Sequence, residues 1–349
     1  MRAHLATVLL FGTLTASCGT AARAEVGVTT MSVGAPDAGR VLAVTLWYPA
    51  EPGGSAVRLG DGPVFEGVAG RQDAPVAASA LPLVLVAHGG LRSAPGQGNW
   101  LGARLAARGF VAALVQGPRL GPGDAAAAVE AIGRRPADLD AALSALENDP
   151  AWAGRIDHAR IGAVGFFLGG TSALALAGAQ LDAERFTTSC DPGGTGVDCA
   201  WLAASGVDLH GVDTTILTRP HRDPRIKAVV AVAPELATSF APTSLAGITV
   251  PVDLVDLGHA DSIPPGLRAA ELGAAIPGAR YRAIPDATPF SAFASCKPEG
   301  AAILEEEGES GAICRESGGR DRDAIHAELA ASIADGLAEH LHVAPGPTR

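Results

Sequence analysis

From about residue 81 onward the chain repeats one pattern: a short apolar run, a turn rich in glycine or proline, then a stretch with helical spacing. Residues 83–87, 110–115, 160–165, 226–232, 250–257 and 280–284 read as strands. Residues 100–108, 136–146, 171–180, 265–275 and 323–340 read as helices, the first closed by Gly109. A run that is apolar at consecutive positions suits a strand covered on both faces, and strands alternating with helices give a mostly parallel sheet between two helical layers. The expected fold class is therefore α/β. Ligands of such sheets sit beyond the carboxyl ends of the strands, which directs attention to the loops after Ala87, Gly165, Leu257 and Ile284.

The remaining segments set the domain organisation. Residues 26–32 and 41–48 alternate apolar and polar side chains and read as an opening antiparallel pair. Residues 51–80 read as a loop rich in glycine and proline. Residues 181–222 break the rhythm and read as a lid-like insertion over the sheet edge. There is no internal repeat. Arg2 and His4, an apolar run over 5–14 and Ala22-Arg23-Ala24 have the form of an export signal, leaving 25–349 as one domain. A lipid-modified Cys18 is the weaker alternative, because Thr15 fits a lipobox poorly. The expected location is secreted or periplasmic, with no transmembrane span, since the apolar run is too short to cross a bilayer. A net charge of −11 speaks against nucleic acid and anionic membranes as partners.

After removal of the signal, Cys190, Cys199, Cys296 and Cys314 remain. An even number in an oxidising compartment suggests two disulfides, and four cysteines allow three pairings. Cys190–Cys199 with Cys296–Cys314 is preferred, because each bridge pins a glycine-rich loop; four free buried thiols are the alternative. With no C-x-x-C and no paired histidine spacing, neither a metal nor a cofactor is expected.

Gly165-Phe166-Phe167-Leu168-Gly169-Gly170 stands between a strand and a helix. It has the frame of a nucleophile elbow, G-x-S-x-G, in which a strained turn presents the central side chain at the top of the sheet. The central residue is Phe167, and a phenyl ring has no lone pair with which to attack a carbonyl.

Further segments carry a family likeness: Leu46-Trp47-Tyr48-Pro49, His88-Gly89-Gly90, Arg135-Pro136-Ala137-Asp138, Gly154-Arg155-Ile156-Asp157, Asp223-Pro224-Arg225-Ile226-Lys227-Ala228-Val229 and Asp261-Ser262-Ile263-Pro264. With the elbow and the late cysteine pair, they resemble the bacterial dienelactone-hydrolase-like group of α/β-hydrolases. Relatives of that group are the platelet-activating-factor acetylhydrolases and, more distantly, polyester-degrading cutinases. The resemblance covers most of the chain after the signal and implies an α/β-hydrolase fold with a Ser, Asp, His triad. On it, Phe167 stands at the nucleophile position and Asp261 at the acid position, with Gly258 as the weaker alignment. Ala287-Thr288-Pro289-Phe290 stands where the family carries its histidine, which puts Pro289 at the base position. Two of three catalytic side chains are thus replaced. Backbone oxyanion donors, expected at Leu168 and near Gly90 and Leu91, do not depend on side-chain identity.

Other candidates have plainer readings. His259 is a substitute base or a polar loop residue, and His88 orders its own loop through a hydrogen bond. Thr171 and Ser172 support a helix start; with Thr288 they are the nearby hydroxyls for a displaced nucleophile. Asp191 and Asp198 belong to a solvated loop rather than a calcium site, and Trp47 and Tyr48 are packing residues. The favoured expectation is an exported pseudo-hydrolase that keeps a pocket for a small ester-like or apolar molecule, with room for a protein partner. The alternative is an active carboxylic ester hydrolase using His259 and Asp261 with a displaced nucleophile.

Overall fold

The structure, a computed structural model, describes residues 25–36, 39–117 and 119–343; the expected export signal and Cys18 lie outside them. Ten strands form one sheet: β1 Glu25–Gly34, β2 Val41–Ala50, β3 Ser55–Leu59, β4 Val68–Gln72, β5 Leu81–Ala87, β6 Val111–Val115, β7 Ile156–Phe166, β8 Ile226–Val232, β9 Val252–Leu257 and β10 Arg280–Ile284. Their order across the sheet is β10-β9-β8-β7-β5-β6-β2-β1-β4-β3. From β6 to β10 every pairing is parallel. β2 runs antiparallel to β6 and to β1. The helices are α1 Asn99–Ala106, α2 Ala128–Asn148, α3 Leu168–Ala177, α4 Ala183–Thr187, α5 Cys199–Ala204, α6 Pro242–Ala246, α7 Ala270–Ala275, α8 Gly300–Glu306 and α9 Arg322–His340.

The central strands bear out the sequence pattern. All seven residues of β5 are buried, and the apolar side chains of the sheet divide between two core layers, one on each face. This is the α/β class expected. No helix among the described residues is long and apolar enough to cross a membrane.

Four details differ from the sequence reading. The supposed loop over 51–80 holds the β3–β4 hairpin, which joins β1 in parallel register at Gly27 with Arg71 and Val28 with Gln72. Gly70 lets this hairpin lie on Trp47, since a Cβ there would meet Trp47 Cζ3 at 2.7 Å. Proline favours the first helical turn, which argues for a start at Pro136. α2 instead begins at Ala128, where good helix formers precede the proline. The helix expected over 265–275 is a 3₁₀ turn, Pro265–Leu267, followed by the short α7. Finally, the insertion does not cover the sheet edge. α4 and α5 pack on the turns that follow β8 and β6, strands flanking the central pair.

Both preferred disulfides form, with Cα separations of 5.4 Å for Cys190–Cys199 and 5.5 Å for Cys296–Cys314. The second closes a span of 18 residues around α8. Cross-linking a loop of that length stabilises a fold by about 3 kcal/mol through the entropy of the unfolded chain. Replacing Cys296 and Cys314 together with serine is expected to lower stability by roughly that amount. Denaturant titration of the oxidised parent and the variant checks it.

Candidate active site

β5 and β7 are neighbours at the centre of the sheet, and the chain leaves them in opposite directions, toward β6 and toward β8. Such a reversal opens a crevice at the strand ends. β7 ends at Phe166 and α3 begins at Leu168, so Phe167 alone makes the turn, with φ 58° and ψ −127°. A bulky residue held there costs about 1–3 kcal/mol and must be over-determined by its surroundings. Here it is. A Cβ on Gly165 would lie 1.9 Å from Gly169 O, and one on Gly169 would lie 2.1 Å from Ala87 O, so only glycine permits these backbone approaches. Phe167 N donates to Val232 O at 3.2 Å, while Phe167 O accepts from Thr171 N at 3.1 Å and Glu235 N at 3.2 Å. The elbow is thereby fastened to β5 on one side and to the end of β8 on the other.

The Phe167 ring meets His88 and Phe293, with ring centres 5.9 and 5.4 Å away. Aromatic pairs at such spacings attract beyond their burial. Phe293 belongs to the segment that begins at Pro289, and buried donors brace that segment. Ala292 O accepts from His88 Nε2 at 2.8 Å and from Trp100 Nε1 at 2.9 Å. His326, stacked on Trp100 with ring centres 3.7 Å apart, donates from Nε2 toward Ser291 O and Phe293 O. Gln97 and Arg322 hold Ala294 N and O. Burial lowers the pKa of His88 to about 4 and that of His326 to about 3, so both rings are neutral near pH 7. His88 therefore orders its loop and the Pro289 segment, and its Nε2 is occupied.

Above the elbow opens a cleft of about 800 Å³. Gly90, Leu91, Phe167 and Glu235 lie along it, with Pro289, Phe290 and Phe293 on one side. Val197 and Asp198 come from the loop closed by Cys190–Cys199; Leu304, Glu307, Glu309 and Ile313 come from the span closed by Cys296–Cys314. Each disulfide thus pins one wall. Phe290, 37% exposed, stands at the mouth.

The expected site residues separate into two groups. Phe167, Pro289, Gly90 and Leu91 share the cleft. Asp261 does not join them. It sits on an exposed 3₁₀ turn, Ala260–Ser262, off the cleft lining and without a hydrogen bond or ion pair among the described residues. His259 is exposed beside it. An acid that orients a base is normally buried against it. The short turn brings Ser262 and Pro264 to the cleft and leaves the carboxylate outside. One oxyanion expectation also changes. Gly90 N–H already donates to Ser93 Oγ at 3.0 Å, and Leu168, whose N–H makes no hydrogen bond among the described residues, also lines a smaller hollow beneath the insertion. The Thr171 and Ser172 hydroxyls bond back to the carbonyls of Phe167 and Leu168, as helix-supporting groups do. Asp191 pairs with His210 and Asp198 with Arg92. Trp47 Nε1 donates to Asn99 Oδ1 and Tyr48 OH to Ala74 O inside the core.

The sequence reading passed over Glu235. It lies in the loop after Val232, at the end of β8, which is not among the loops the sequence pattern points to. The signal was present in Val232-Ala233-Pro234-Glu235: a carboxylate and a proline directly after a buried strand. Glu235 is 9% exposed, and its carboxyl makes no hydrogen bond or ion pair among the described residues. Ala233 and Leu236 on either side have φ of 42° and 59°. Burial pushes the Glu235 pKa up to about 8, the negative charge of Asp198 adds to the rise, and Arg135 opposes it. The folded protein thus holds a proton that the unfolded chain releases near its ordinary carboxyl pKa, so stability falls as pH rises from about 4.5 to about 8. Glu235→Gln removes this loss. Its melting temperature is expected to gain several degrees on the parent between pH 5 and pH 8.5, as read by thermal unfolding at both values.

No family model matches the sequence, and no curated protein does. Among solved structures, a ferulic acid esterase from Streptomyces cinnamoneus is similar, with a TM-score of 0.61 at 20% identity over 95% of this chain and 94% of that one. A dienelactone hydrolase from Anabaena variabilis aligns at a TM-score of 0.45 and 17% identity, over 81% of this chain and 95% of that one. By its strand order, its strained strand–turn–helix and the likeness to the esterase, this chain has the α/β-hydrolase fold.

Proposed function

We propose that the chain is an exported pseudo-hydrolase of the dienelactone-hydrolase-like kind. It binds a small, ester-like or apolar molecule in the cleft above Phe167 and does not hydrolyse it. The observation that carries this reading is the elbow itself: its backbone is held in the strained form a nucleophile requires, and its side chain is a phenyl ring packed against Phe293 and His88. Pro289 on the adjoining segment can neither take nor give a proton in the role of base.

The exposed position of Asp261 supports the same reading, since an acid open to water and unpaired does not orient a base. Losses within a triad are not additive, so either replacement alone is severe and the two together leave little more to lose. The cleft is retained at a size that takes a small molecule, and its walls are fixed by two disulfides. Two disulfides are also what an extracytoplasmic protein carries, which supports export.

The mature protein, offered short-chain nitrophenyl esters and a fluorophosphonate probe, is expected to give neither turnover above buffer nor covalent labelling. Turnover together with labelling of one residue would contradict the proposal. The double change Phe167→Ser with Pro289→His is expected to gain measurable esterase activity. That activity should remain on the order of 10⁴-fold below an intact triad, because no buried acid sets the histidine tautomer. Initial rates on the same esters measure it.

A further inference from the structure

We propose that Glu235 is the recognition group of the cleft: its carboxylic acid, kept in the neutral form, donates a hydrogen bond to the carbonyl oxygen of an uncharged ester or amide seated against Phe167. This deepens the ligand-binding reading and rests on it.

Three observations carry the assignment. First, the Glu235 carboxyl is nine-tenths buried, lines the cleft and has no hydrogen-bond partner among the described residues. Its oxygens keep contact with the cleft, so a ligand seated there can pair with a group that no protein partner satisfies. Second, its neighbours make room for it and none satisfies it. A Cβ on Gly90 would lie 2.7 Å from Glu235 Oε1, so the absence of a side chain at Gly90 lets the carboxyl lie against the backbone there. Left-handed backbone at Ala233 and Leu236 and the bond from Thr171 Oγ1 to Glu235 O hold the loop in place. Third, Gly90 N–H, which an ester-cleaving site would aim at a carbonyl oxygen, is turned to Ser93 Oγ. A carbonyl held beside Gly90 is thereby denied that donor, and a protonated carboxyl against Gly90 supplies one in its place.

Burial first, and then the charge of Asp198, favour the neutral form, while Arg135 opposes it. Arg135 is the cation nearest in effect, and it donates to Gly89 O at 3.1 Å and Gly90 O at 2.9 Å. Asp198 faces Glu235 from the insertion and, though paired with Arg92 at 3.6 Å, disfavours a second negative charge. A cationic ligand would instead require an ionised Glu235 and would share the cleft with Arg92 and Arg119.

The test is calorimetric titration of methyl 3-phenylpropanoate, with 3-phenylpropylamine as the cationic counterpart, into the parent, Glu235→Gln and Glu235→Leu between pH 6 and 9.5. The parent should bind the ester, lose about tenfold in affinity across pH 8 as the donor proton leaves, and bind the amine weakly throughout. Glu235→Gln, which keeps an N–H donor, should bind the ester within about threefold of the parent at pH 6 and show no pH dependence. Glu235→Leu should be about tenfold weaker than the parent at pH 6 and should not change with pH. Preference for the amine, strengthening with pH, would overturn the assignment. So would ester binding that is equal in all three proteins, which leaves the ligand-binding reading intact. Absence of ester binding in every folded variant would overturn that reading as well.

Discussion

The site depends on one backbone constraint. Between β7 and α3 a single residue must reverse the chain with φ near 58°, and it can do so only because Gly165, Gly169 and Ala87 pass within backbone contact of one another. A side chain at either glycine would collide with a carbonyl, so the turn, the start of α3 and the β5–β7 crevice stand or fall together. None of these contacts involves the side chain of Phe167. Its character could change from nucleophilic to apolar without unmaking the fold, and the strain of the turn persists although no attacking oxygen sits on it.

What surrounds the turn follows from filling its apex with a ring. Phe167, Phe293 and His88 close into an aromatic group, and the segment from Pro289 is braced from below by Trp100, His326, Gln97 and Arg322. Bracing of this kind freezes the segment on which the base of a working hydrolase would sit. The walls above are held by the two disulfides, one from the insertion and one from the α8 span. The outcome on this account is a preformed apolar cleft with a few polar groups, the usual composition of a small-molecule site.

Much of this was legible in the sequence. Consecutive apolar residues at 83–87 and the alternation of strands with helices gave the parallel core, and glycine spacing at 165–170 located the elbow. The pairing of Cys190 with Cys199 and of Cys296 with Cys314 followed from the loops they close. Less legible were features that depend on tertiary context. The β3–β4 hairpin lies in glycine-rich sequence and is held by β1 and Trp47 rather than by its own pattern. The exposure of Asp261 is set by a 3₁₀ turn that a motif match does not reveal. Glu235 carries no motif at all: its importance comes from burial against Gly90, which only the packed structure displays.

The central claim is that the cleft holds an ester and leaves it whole. Carbon-13 NMR of methyl 3-phenylpropanoate labelled at the carbonyl, mixed with the oxidised protein at equal concentration near pH 6.5, tests this on one atom. The account predicts a carbonyl resonance displaced downfield by hydrogen bonding to the protein, persisting for days with no acid signal beyond that of buffer. Growth of the free-acid resonance faster than in buffer, or a carbonyl resonance identical to that of the ester in buffer, would contradict it.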